Sequence, residues 1–388
     1  MLALLTTFLL MLAAAQQEQR FTPVEGATLQ ARHDAAARQA AAAQQPRYWT
    51  AHAFDVRPGV AVDVEFVSDD GQFIINDGTF YSSDPEVRRA FSAIETRSLG
   101  VFVLREGPRG DIVRVEVFNL ARRREYAGYP VYWAGRAPNE ESLNLLRGVV
   151  ETRGASGLTS RTDERAAGAL RALSLHDDRR VPDILLALAR SPALAEGLRG
   201  QSVRALGQHV NAPGVRDFLG TVARDERADA ELRRSAISAY GRARDPQALT
   251  FLQSLYETLT DRELKRRVLA SLRENENRDA AAAFIIRVAT QDADREMRRR
   301  ALALLGEVAG ERALGTLRET ATSPEVDVEL QKQALSALGR RPAGESVPLL
   351  IRVAQTHARN EVRKHALVLL GRSGDPAAVA YLRSLLTK

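Results

Sequence analysis

One ten-residue pattern recurs through the second half of the chain. It reads LRRSAISAYG from Leu232, LRGQSVRALG from Leu198, MRRRALALLG from Met297, LQKQALSALG from Leu330 and VRKHALVLLG from Val362, with weaker copies starting at Arg165 and Leu264. Successive starts differ by 32 to 34 residues. A period of that length marks stacked helical hairpins, because each unit is too small to bury its apolar face without a neighbour. The first, fifth, sixth and ninth places (Leu330, Ala334, Leu335 and Leu338 in one copy) fall on one helical face and are expected in the core. The tenth place is Gly in five of seven copies, which suggests a left-handed helix stop. Between copies runs a second amphipathic segment, such as DPQALTFLQSLY from Asp245 or DPAAVAYLRSLL from Asp375. In these the Asp is placed to cap and the Pro to occupy the first turn. The pattern predicts an all-α, α–α superhelical solenoid over residues 138–388, opening with a helix at Asn139.

Residues 47–135 are different in kind, holding 14 of the chain's 22 aromatic residues and both tryptophans, Trp49 and Trp133. Val60, Val62, Val64 and Phe66 alternate with smaller or charged residues, as do Val113, Val115 and Val117, the period of half-buried strands. Asn76-Asp77-Gly78 between QFII and TFYS predicts a tight hairpin, Asp69-Asp70-Gly71 a second turn, and Asp84-Pro85 the start of a helix carrying Val87, Phe91 and Ile94 on one face. The expectation is a small, mainly antiparallel β domain, sandwich or open barrel. Residues 16–46, rich in Gln and Ala, read as a linker or a frayed helix. Leu2 to Leu12 followed by Ala13-Ala14-Ala15 has the apolar core and small residues of a signal peptide over residues 1–15, although no Lys or Arg precedes the apolar run. The chain is therefore expected to be exported, periplasmic or extracellular, with membrane attachment only through an uncleaved signal.

Composition narrows the chemistry. With no Cys, disulfides, thiolate metal sites and cysteine nucleophiles are excluded. The net charge is +6, but of 55 basic residues only Lys265, Lys332, Lys364 and Lys388 are lysine, a bias of genome composition that weakens any argument for nucleic-acid binding. There is no G-x-S-x-G elbow, Walker loop or H-E-x-x-H helix. Arg109-Gly110-Asp111 matches the adhesion tripeptide but needs only a turn between two strands. His357 and His365 are the closest approach to a metal pair and lack supporting carboxylates in pattern.

The period, the Gly and the Asp-Pro helix start together resemble the HEAT-repeat, armadillo-like family, in particular the short bacterial repeats of phycobilisome-lyase-like proteins, over roughly residues 138–388. The resemblance implies a binding scaffold more than an activity. HEAT-type hydroxylases use paired His-Glu motifs to hold iron, and no His-Glu dipeptide occurs here. The expected function is thus a non-catalytic scaffold for a protein partner, without cofactor. The alternatives are a lyase-like enzyme and a binder of an anionic envelope polymer or nucleic acid.

Residues 151–388 hold 39 Lys and Arg against 31 Asp and Glu, so the excess positive charge sits on the repeats. Asp229, Asp261, Asp294 and Asp327 stand three residues before repeat starts, as helix caps. Second-place residues Arg199, Arg233, Lys265, Arg298 and Arg363 are expected to pair with acids of neighbouring units. The third and fourth places, Arg234, Arg266, Arg267, Arg299, Arg300, Lys332, Lys364 and His365, point away from the apolar stripe. They form the candidate surface, a basic strip suited to an acidic protein partner.

Overall fold

The computed structural model describes residues 21–386 except 63, 69–70, 76–77, 80–95, 108, 155–163, 244, 274, 276 and 309. The signal segment and the predicted Asp84 helix lie outside the described residues. The chain divides into two compact units, residues 1–205 and 206–388.

The first unit is built on a five-stranded sheet in the order β1-β9-β2-β7-β8, with β1 at Thr22–Pro23, β2 at Arg47–Ala53, β7 at Leu99–Glu106, β8 at Asp111–Asn119 and β9 at Val131–Arg136. The β2-β7-β8 meander is antiparallel, but β9 runs parallel to both β2 and β1, so the sheet is mixed. It is neither sandwich nor barrel. Strands β3 (Val60–Ala61), β4 (Val64–Ser68), β5 (Gly71–Ile75) and β6 (Gly78–Thr79) pair as β3 with β6 and β4 with β5. Both pairings share one register. Asp69 and Asp70 of one expected turn and Asn76 and Asp77 of the expected hairpin lie outside the described residues, and QFII pairs with VEFVS.

Within residues 16–46, expected as a linker or a frayed helix, Leu29–Ala42 form helix α1, capped by the Thr28 hydroxyl accepting from the Ala31 amide. Leu29, Ala36 and Ala40 lie buried with Tyr48, Tyr132 and Ala134 of the sheet. Small alanines at this spacing let the helix approach closely, which a reading of composition alone takes for low complexity. Helices α2 (Asn139–Gly154) and α3 (Glu164–Ser174) complete this face, α3 lying along β8. A Cβ at Gly168 would sit 2.0 Å from the Val115 carbonyl oxygen, so glycine is required there for helix and edge strand to meet. These helices pack with the sheet within the first unit. Helices α4 (Val181–Arg190) and α5 (Glu196–Leu206) follow.

The second unit is all helical: α6 (Val215–Arg224), α7 (Ala230–Gly241), α8 (Pro246–Thr258), α9 (Arg262–Arg273), α10 (Arg278–Gln291), α11 (Arg295–Leu305), α12 (Glu311–Thr322), α13 (Val328–Leu338), α14 (Ala343–Thr356), α15 (Asn360–Ser373) and α16 (Pro376–Leu386). Consecutive helices pair into hairpins, and α7, α9, α11, α13 and α15 also pack on one another in a continuous row. The predicted core places hold, with Leu302, Leu335, Ala334 and Leu338 fully buried. Asp229, Asp294 and Asp327 accept from amides of the first turn that follows each of them.

The repeat glycines have another role than the one expected. Gly306 and Gly339 end their helices with φ of −64° and −62°, right-handed values that any residue adopts. Instead, a Cβ at Gly207 would come within 2.9 Å of the Ala239 Cα, one at Gly241 within 2.6 Å of the Ser271 Cβ, and one at Gly306 within 2.7 Å of the Ala337 carbonyl oxygen. The missing side chain lets one row helix touch the next.

Candidate functional site

The row of helices α7 to α15 carries all eight residues of the predicted basic strip, and the structure changes what that strip is. Each third-place cation of the first four helices pairs with the Glu one turn earlier: Arg234 with Glu231 at 2.5 Å, Arg266 with Glu263 at 3.0 Å, Arg299 with Glu296 at 3.0 Å and Lys332 with Glu329 at 2.6 Å. The Lys332 ammonium holds the Glu329 carboxyl below its ordinary value. His365 is not a free cation either, since its Nε2 lies 2.8 Å from the Ser336 hydroxyl and burial lowers its pKa. Among the described residues, no carboxylate lies within ion-pair reach of Arg267, Arg300 or Lys364. The strip is a row of Glu–cation dipoles with three uncompensated charges, a weaker and more patterned field than eight free cations would make.

The expected ladder between units is also formed by other residues. Arg262 reaches Asp294 at 2.5 Å and Arg295 reaches Asp327 at 2.5 Å, each tying the first turn of one row helix to the cap of the next. The second-place residues turn back into their own hairpin. Arg233 donates to the Ala223 carbonyl, Arg363 to the His357 carbonyl, and the Lys265 ammonium sits 4.7 Å from the centre of the Tyr256 ring. Leaning this way covers their aliphatic stems, which pairing outward would expose. His357, in the loop that follows α14, is buried, its Nδ1 accepting from the Arg359 amide.

Sequence reading missed a polar chain buried beneath the sheet. His52 of β2 and His176, just after α3, each place Nε2 2.8 Å from the hydroxyl of Ser142 on α2, and all three residues are inaccessible to solvent. The hydrogen-bond directions assign the protons. His176 Nδ1 faces the Ala172 carbonyl at 2.9 Å and so carries hydrogen, leaving Nε2 to accept from Ser142. Ser142 then accepts from His52 Nε2. Both imidazoles are neutral in this arrangement, and burial pulls their pKa values down, to about 3 for His52 and about 4 for His176. The Phe54 ring stacks on His176 at 4.1 Å. Next to it, Arg105 donates to Thr50, the Gly110 carbonyl and His33 Nδ1. Gly110, with φ of +65°, lies in the β7–β8 turn, where Arg109-Gly110-Asp111 was expected. This chain locks α1 and α2 to the sheet, and its only sequence signal is the run Tyr48, Thr50, His52 on one face of β2.

Among the described residues, no α-helix contributes to the cluster on the sheet's other face. Phe21, Trp49, Phe102, Phe118, Tyr126 and Trp133 form an aromatic layer, and a cavity of about 290 Å³ opens beside Trp49, Phe118 and Tyr126 with Arg114, Glu116, Arg124 and Glu125 around it. Tyr126 and Ala127 hold left-handed φ of 47° and 55°. The Trp49 indole donating to the Tyr126 carbonyl at 3.0 Å and the stack of Tyr126 on Phe102 at 5.0 Å keep them there. No helix of the described residues is long and apolar enough to cross a membrane.

Stacked hairpins of this period, joined cap to first turn, define a helical repeat protein. Residues 182–273 and 325–388 match the family model of HEAT repeats, and the helical region is a HEAT-type repeat array. Among solved structures the chain is similar to human deoxyhypusine hydroxylase, with 18% identity, 63% of this chain and 90% of that one covered, and a TM-score of 0.31. It is similar also to the CpcE and CpcF complex of phycocyanin lyase from Nostoc sp. PCC7120 (23% identity, 52% and 79% covered, TM-score 0.31) and to Kap95p from its complex with RanGDP (13% identity, 59% and 37% covered, TM-score 0.35). These likenesses are of fold alone. No curated protein matches the sequence.

Proposed function

We propose that this chain is a non-catalytic HEAT-repeat scaffold that is exported and binds an acidic protein partner along the exposed face of α7 to α15. The observation that supports it most is the regular surface of that row, a Glu–cation pair in each of four successive helices with Arg267 and Arg300 left uncompensated beside them. A dipole repeated at one-repeat spacing suits an extended partner, since solenoids bind along continuous faces. The buried histidines are sealed from solvent and serve the fold. Excess charge from the two arginines steers an acidic partner more than it anchors it.

The test is capture of partners by the full chain from envelope extract, followed by association kinetics of the captured protein with an R267E/R300E variant. The reading expects a slower on-rate at low salt, converging with wild type at high salt. An unchanged on-rate at low salt removes the row as the binding face. Recovery of nucleic acid or an anionic polymer in place of protein overturns the choice of partner.

A further inference from the structure

Helices α8 and α16 occupy the same place in their repeats. Each begins with Asp-Pro, the aspartate accepting from amides of the first turn. Aligned on that start, Leu249, Phe251, Leu252, Leu255 and Tyr256 of α8 correspond to Val379, Tyr381, Leu382, Leu385 and Leu386 of α16. In α8 all five are buried, and the next hairpin supplies the cover: the Phe284 ring lies 5.5 Å from that of Tyr256, and Asp292 accepts from the Tyr256 hydroxyl at 2.7 Å. In α16 Val379 is 37%, Leu385 43% and Leu386 88% exposed, and Ala378 is its only buried residue.

The neighbouring helix carries the same signature. At the seventh place of the repeat, α7, α9, α11 and α13 have Ser238, Ala270, Ala303 and Ser336, whereas α15 has Val368, 48% exposed. Among the described residues, Val368, Val379, Leu385 and Leu386 are the only large apolar side chains that stand exposed. Scattered surface leucines need no explanation, but four confined to one hairpin do.

A polar feature indicates what covers this face. Glu361 and Lys364 stand where the other row helices form their Glu–cation pair, yet they are not paired with each other. With Val368 they lie on one stripe of α15, an acid and a base one turn apart beside an apolar patch. Such a stripe is complementary to itself when turned through 180°, the requirement of a two-fold interface.

We propose that the α15–α16 hairpin is the contact surface for a second copy of this chain, in an isologous pair with Val368, Val379, Leu385 and Leu386 at its centre and Glu361 of each copy facing Lys364 of the other. Val379, Leu385 and Leu386 lie on α16, outside the row of α7 to α15, whereas Arg267 and Arg300 lie on α9 and α11, so V379D/L385D tests the pairing and R267E/R300E the proposed partner.

The full chain is examined by sedimentation equilibrium over a range of concentrations. The expected result is twice the mass of one chain, reduced to one by V379D/L385D with the thermal transition of the repeats unchanged, since both side chains are already exposed. K364E, which sets like charges against each other, should weaken pairing about tenfold or more. E361K/K364E should restore it, because the exchange preserves complementarity only if both partners carry it. A single-chain mass at every concentration, or pairing indifferent to V379D/L385D, overturns the proposal. Pairing lost in K364E and not restored in E361K/K364E overturns the two-fold arrangement.

Discussion

Lowering the pH should unlock the first unit through His52 and His176. Both are neutral and buried, with pKa values brought by desolvation to about 3 and about 4, against about 6.5 in an unfolded chain. Above pH 6.5 neither state is protonated at these positions and their contribution to stability is complete. Below it the unfolded chain takes up protons that the folded chain refuses. Stability then falls by about 1.4 kcal/mol per pH unit for each histidine until the folded pKa is reached. At about pH 5 the loss is about 2 kcal/mol each, or about 4 kcal/mol together, a large part of a domain's usual 5–15 kcal/mol. His33, lowered in the same direction by burial and by Arg105, adds to it. The carboxylate nearest His176 does not offset this, because hydrogen bonds from Arg180 hold Asp178 to a pKa of about 2, so it stays ionised throughout. Because both tryptophans, Trp49 and Trp133, lie in the sheet, their fluorescence reports this unit alone. Denaturant midpoints read from that signal should drop steeply from about pH 7 to about pH 5. The H52Q/H176Q variant, in which the amides can still bond Ser142, should show a much shallower slope. A flat midpoint across that range, or an equal slope in the variant, would refute the assignment of neutral, proton-refusing histidines.

Further outcomes follow from the repeat array and the chain's start. Leu302→Ala and Leu335→Ala, each removing a fully buried side chain, should cost roughly 2–5 kcal/mol in denaturant unfolding, whereas Ser336→Ala, which loses a half-buried contact to His365, should stay within about 1 kcal/mol. Gly306→Ala should cost roughly 1–3 kcal/mol by the same measurement because its methyl group meets the Ala337 backbone, while Gly371→Ala, with open space around it, should be neutral or mildly stabilising. Equal effects at Gly306 and Gly371 would return the repeat glycine to a helix-stop role. Mass analysis of the protein from its native source should find Gln16 at the N-terminus, and an intact Met1 on a soluble cytoplasmic protein would end the proposal of export.

The repeat was legible because its physics is local. Apolar places at helical spacing, an Asp cap and a first-turn Pro are satisfied within one hairpin, and a period of 32 to 34 residues fixes how hairpins stack. Core residues such as Leu302 and Leu335 could therefore be named from sequence alone. The positions of the charged side chains could not. Whether Arg266 stands free or pairs with Glu263, and whether Arg262 or Lys265 bridges to the next unit, depends on reach and on what lies opposite, and every candidate has the same charge. The repeat glycines looked like helix stops because backbone freedom is their local property. Only the packed row shows that Gly241 and Gly306 are needed for lack of a side chain. Likewise the alanines of α1 read as low complexity until the sheet they lie against is known. His33, His52, Ser142 and His176, scattered over more than a hundred residues of sequence, become one chain only when β2, α1, α2 and the end of α3 converge. Period and pattern determine elements that can satisfy themselves, whereas groups whose partners lie far along the chain acquire their roles only in the tertiary structure.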